Sequence, residues 1–139
     1  MYMSVSSRAA ASYRAVGVES VVHGASPHQL IVLLFDGALR SISRAKEAMQ
    51  RRDIATKARE ITQALDIIQE GLIGHLDMKR GGEIAANLLR LYEYAMVRLT
   101  QANLRNDVEA LDEVTQIIDT VAKGWAEIRD IVSIQTPAG

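Results

Sequence analysis

The chain contains no cysteine. That absence excludes a disulfide, a thiolate zinc site and a cysteine nucleophile together. Only two prolines occur, Pro27 and Pro137, so no pyrrolidine ring interrupts a helix between Gln29 and Thr136. Aromatic residues make up 4% of the chain. Neither charge dominates, with 16 Lys and Arg against 17 Asp and Glu and a net charge of −1. A protein built on phosphate contacts carries a basic excess, so no nucleic acid is expected as a partner. No apolar run approaches the roughly 20 residues of a membrane-spanning helix, and the first residues lack the apolar stretch of a signal peptide. The expectation is a soluble, cytoplasmic protein with no membrane span.

What is present is 48% hydrophobic residues in 139, the proportions of one globular domain. Between the prolines the chain is rich in Ala, Leu, Glu, Arg and Gln, which favour helix. Ser26-Pro27-His28-Gln29 reads as a helix start, with Ser26 as cap, Pro27 in the first turn and Gln29 three residues after the cap. Leu30, Leu34, Ala38, Ile42, Ala45 and Met49 then recur at helical spacing. Asp53 caps a second run, Ile54, Ala58, Ile61, Leu65, Ile68 and Leu72. After the break at Gly81-Gly82 a third run carries Ile84, Leu88, Leu91, Ala95, Leu99 and Ala102. Asp107 caps the last, Leu111, Val114, Ile118, Val121, Trp125, Ile128 and Val132. Four helices joined by short polar turns predict an all-α, antiparallel up-down-up-down four-helix bundle over residues 26–133. Residues 1–25 are expected to form a flexible N-terminal segment with apolar handholds (Tyr2, Tyr13, Val16, Val18, Val21, Val22), and 134–139 a flexible tail.

Few residues point to catalysis. A di-iron bundle needs Glu-x-x-His pairs on one helix face, and no Glu here has a His three residues later. His23, His28 and His75 make no ligand set, so neither a metal nor another cofactor is expected. Asp112, Gln116, Asp119, Lys123, Glu127 and Asp130 follow the outer face of the last helix, the pattern of a solvated stripe. There is no Walker A loop, and Gly81-Gly82-Glu83 reads as a turn device. The expectation is a protein that is not an enzyme.

The surplus lies in apolar positions. Ile31, Phe35 and Leu39 stand at i, i+4 and i+8, about 100° round the first helix from its main stripe. Ile67 adds to the second helix, and Leu89, Tyr92, Met96 and Leu104 add to the third. Two readings stand side by side. These residues widen the core-facing stripe, or they form a second apolar surface for an amphipathic segment of a partner. On the second reading Ile31, Phe35, Leu39, Ile67, Leu89 and Met96 are the groove residues.

Three segments in one order carry a resemblance. They are Ala25-Ser26-Pro27-His28-Gln29-Leu30-Ile31 running into Leu34-Phe35-Asp36-Gly37-Ala38, then Gly81-Gly82-Glu83-Ile84-Ala85-Ala86-Asn87-Leu88, then Leu91-Tyr92-Glu93-Tyr94 with Gln101-Ala102-Asn103-Leu104. With Asn106-Asp107 and Ala122-x-x-Trp125 they resemble the flagellar secretion chaperone family, FliS, from about Tyr13 to Trp125. The resemblance implies a cytoplasmic chaperone without cofactor. It would bind the C-terminal segment of flagellin, which is disordered in the free subunit, prevent premature polymerisation and aid delivery to the flagellar type III export gate. It also implies that the N-terminal segment covers part of the client surface, with Tyr13 in that cap or near the export-gate protein. Asn87, Tyr92, Tyr94 and Asn103 match the third-helix motif; Tyr92 and the asparagines either anchor the client or fix the groove. Phe35 stands where many relatives have tyrosine. A four-helix adaptor for a different helical client is the alternative.

Overall fold

A computed structural model describes the backbone of residues 26–135 and the side chains of residues 26–127. The expected N-terminal segment, with Tyr13, and residues 136–139 lie outside the described residues. Four helices make up the fold: α1 Pro27–Gln50, α2 Ile54–Asp66, α3 Met78–Arg105 and α4 Val108–Gln135. No strand occurs among the described residues.

The helix starts follow from local hydrogen bonding. The Ser26 hydroxyl accepts the Gln29 N–H at 3.2 Å while the Gln29 side chain accepts the Ser26 N–H at 2.9 Å, a reciprocal capping box with Pro27 behind it. Asp53 accepts from the Thr56 N–H at 3.1 Å, and Asp107 from the Ala110 N–H at 3.2 Å. The third helix departs from expectation. Asp77 accepts the N–H groups of Lys79 and Arg80, so α3 opens at Met78, ahead of the two glycines. Gly82 still breaks it, because its backbone (φ 51, ψ −124) kinks the helix between a first capped turn and the long remainder.

The end of α2 also departs from a regular seam. Ile67–Leu72 form a π-helical turn and Ile73–His75 a 3-10 turn. The widened backbone sets Gly71 against α1, where a Cβ would stand 2.7 Å from Leu34 Cδ2. A glycine is therefore needed for close approach at that crossing.

Each helix packs on its neighbours in sequence, and α1 packs on α4 to close the ring. Contacts near the helix ends fix the directions. Lys46, late in α1, meets Asp112, early in α4, at 2.8 Å, and Trp125, late in α4, donates to the His28 carbonyl at 3.3 Å. Lys57, early in α2, reaches the Asn103 carbonyl, late in α3, at 2.9 Å. Arg98 and Glu113 join α3 to α4 at 2.6 Å. Neighbours are antiparallel, and the molecule is an up-down-up-down four-helix bundle.

The core takes Leu34, Ala38, Ile42 and Ala45 from α1, and Ile61, Ala64 and Ile68 from the second arm. Ala95, Leu99 and Ala102 of α3 and Leu111, Val114 and Ile118 of α4 complete it. Alanines at the crossings let the backbones approach closely. Four described seam residues are not in it: Ala58 and Leu91 are half-buried outside it, and Ile54 and Ile84 are exposed. Ile54 is 70% and Ile84 72% exposed, because each stands at a helix end with no neighbouring helix beyond it.

Candidate functional site

One end of the bundle gathers the start of α1, the end of the second arm, the start of α3 and the late part of α4. There the four apolar seams run out without meeting, and a pocket of about 230 Å³ opens between them. Ile31 and Phe35 reach it from α1, and Leu72, His75 and Leu76 from the turns after α2. Ile84, Leu88 and Tyr92 line it from α3, and Val121, Gly124 and Trp125 from α4. The lining is overwhelmingly carbon, so the pocket can desolvate an apolar side chain and offers almost nothing to a charged one.

Two rings shape the lip. The imidazole of His28 stacks on the indole of Trp125 with centroids 4.3 Å apart and planes 18° from parallel. The indole N–H donates to the His28 carbonyl, so one side chain holds the late part of α4 to the first turn of α1. His75 stands across from them. Its Nδ1 lies 2.7 Å from the Gly71 carbonyl, which can only accept, so Nδ1 is the donor. A shallower hollow beside the pocket is walled by Ser26, Pro27 and His28 and shares Ile31, His75 and Trp125 with it.

Tyr92 is 3% exposed, and burial pushes its phenol above the ordinary value. It stays neutral across the physiological range. Its motif partner Tyr94 points the other way and donates to Glu113 Oε2 at 2.7 Å, alongside Arg98 on the other carboxylate oxygen. Two tyrosines two residues apart thus sit on opposite sides of α3, as helical geometry requires.

The remaining candidate residues divide by location. Ile31, Phe35 and Tyr92 converge on the pocket, although Phe35 is also a core residue. Ile67 is wholly buried in the core. Leu39 and Met96 are half-buried against the core, and Leu89 is half-buried on α3. Leu89, Met96 and Asn103 are spaced by seven and share a flank of α3, whose far end meets α2 where Lys57 binds the Asn103 carbonyl. Asn87 is exposed and its side chain accepts from Arg90.

A family model described as flagellar protein FliS matches residues 9–132. The chain belongs to the FliS family. It is 45% identical over 124 residues to the flagellar secretion chaperone FliS of Salmonella typhimurium, covering 89% of this chain and 92% of that protein. It is 45% identical over 118 residues to the flagellar secretion chaperone FliSB of Pseudomonas aeruginosa, covering 85% and 93%. To FliS of Bacillus subtilis it is 30% identical over 109 residues, covering 78% and 80%. In this FliS chain the pocket draws on residues that periodicity assigns to the seams, Leu72, Leu88, Val121 and Trp125, and on Leu76 and His75. The signal for them is present: every seam carries a large apolar residue at the same end of the bundle, with no partner among the described residues left to face. Among the described residues no helix is long and apolar enough to cross a membrane.

Proposed function

We propose that this FliS family member is a cytoplasmic export chaperone. It binds the C-terminal segment of flagellin, keeps the subunit from polymerising early and brings it to the export gate of the flagellar type III apparatus. One observation carries the reading: an open, carbon-lined pocket at one end of an otherwise well-packed bundle, in a family whose relatives are named flagellar secretion chaperones. A client helix that sets an aliphatic side chain there gains about 1.5–3 kcal/mol for each one removed from water. Ordering a disordered segment costs about 2–5 kcal/mol, so the client needs more surface than the pocket alone. The half-buried flank with Leu89, Met96 and Asn103 extends that surface along α3, Asn87 adds a polar contact on the opposite side of that helix, and Leu39 extends the surface on α1. Tyr13 serves either in the N-terminal cap over the client surface or as the contact toward the export gate. The work is holding and releasing, which needs apolar area and no catalytic group.

Titration calorimetry with two flagellins tests this. Intact flagellin is expected to bind, and flagellin lacking its last roughly forty residues is expected not to, since coupled folding of that segment supplies the interface. Equal binding by both, or by neither, overturns the proposal, and binding of another helical client alone favours a general adaptor.

A further inference from the structure

Between the end of α2 and the body of α3 the chain is barely held. Leu72 and Ala85 are both buried, but from Gly74 to Ile84 every residue is exposed except half-buried Leu76 and Gly81. Within that stretch the turn Met78–Gly81 completes its own hydrogen bonds. Asp77 caps the N–H groups of Lys79 and Arg80, and its carbonyl accepts the Gly81 N–H at 2.8 Å. The turn is thus a small self-contained body, joined to α3 at Gly82.

Gly82 separates space from conformation. A Cβ there would meet nothing within 4 Å, so the glycine is not needed for room. Its φ of 51 and ψ of −124 are open to essentially no other residue. On either side stand apolar side chains that no other described residue covers: Met78 is 45% and Ile84 72% exposed, although Ile84 already borders the pocket.

We propose that residues 73–81 are a flap, hinged at Gly82, which closes Leu76 and Met78 against Ile84 over the pocket once client side chains fill it. The proposal rests on the client reading above. Gly82 is a positioning residue in it, and closure acts on how long the client stays. Sparse burial makes the stretch the low-stability part of this end, which is what a moving element requires.

Hydrogen exchange and binding kinetics on the full chain, with the flagellin C-terminal segment as ligand, test it. In the free protein the amides of 74–84 are expected to open together, faster than the body of α3. Bound segment is expected to slow them about tenfold, and Gly82→Ala to abolish that slowing and speed dissociation about tenfold at unchanged association. Ile84→Ser, at an exposed position, is expected to speed dissociation about threefold or more and keeps the test alive if Gly82→Ala does not fold. Bound segment that leaves 74–84 exchanging at the free rate, or wild-type residence times in Ile84→Ser, overturns closure. Failure of the wild type to bind overturns the client reading and closure with it. The hinge is judged separately in the free protein, where exchange of 74–84 in step with the rest of α3 overturns it.

Discussion

Where α1 passes to α2 and α3 to α4, polar groups finish the bundle; at the opposite end carbon is left facing carbon. At the first end the ammonium of Lys57, itself buried, donates to the Asn103 carbonyl at 2.9 Å and to Asn106 Oδ1 at 2.5 Å. The last carbonyls of a helix have no partner within it, and Lys57 supplies one across the bundle. Arg52 and Asn106 adopt left-handed backbone (φ 62 and 52), which turns the chain back within a few residues. At the other end the indole of Trp125 donates to the His28 carbonyl and His75 Nδ1 to the Gly71 carbonyl. Among the described residues no charged donor enters there, the connection after α2 is longer and irregular, and the seams end in the pocket. A bundle end is sealed by absorbing loose carbonyls and reversing tightly. Where the reversal is longer and the apolar seams outrun it, the same helices leave an open apolar pocket.

Four substitutions break or sharpen that contrast. The largest effect is expected at the open end from Phe35→Ala, because Phe35 is both core and pocket floor. It should lose about 3–5 kcal/mol, read as a lower urea midpoint at unchanged slope, and weaken flagellin binding as well. Lys57→Met keeps the apolar stem but removes the donor from the sealed end. It should cost about 1–3 kcal/mol in the same measurement while calorimetry shows flagellin affinity unchanged. Should that variant bind flagellin poorly, the two ends are not independent. Ser26→Ala removes half of the capping box beside the pocket and should cost about 1 kcal/mol.

The smallest effect concerns acid. The Tyr94 hydroxyl, and then Arg98, hold the Glu113 carboxyl below the usual carboxylate value. A carboxyl lowered in the folded state contributes stability that is present above its unfolded value and lost as pH falls through the folded one. Melting temperatures of the wild type should therefore drop more steeply than those of Glu113→Gln as pH falls through the carboxylate range. Parallel curves would show that this pair, on the exposed flank, adds nothing to the sealed end.

Helix starts were legible because capping is local: Ser26, Asp53 and Asp107 each reach backbone within three residues. Asp77 is not legible as a cap because the two glycines after it read as the start of α3, while the helix begins before them and kinks through. The π-helical turn was not legible, since it depends on how Gly71 meets Leu34 on another helix. For the site, periodicity reports the angle of a residue around its helix but not its height along the bundle. Ile67 and Ile31 both stand off their main stripes, yet Ile67 lies deep in the core and Ile31 at the pocket. Whether an off-stripe residue faces core or partner is decided by which neighbours end first, and that belongs to the assembled helices.

Trp125 is the single tryptophan of the chain, and it stands at the pocket with one face covered by His28. Indole emission changes in colour and yield with the water and rings around it. The molecule therefore carries its own optical gauge at the place where a client would enter. Occupancy can be followed without a label and with no second tryptophan in the chain to compete.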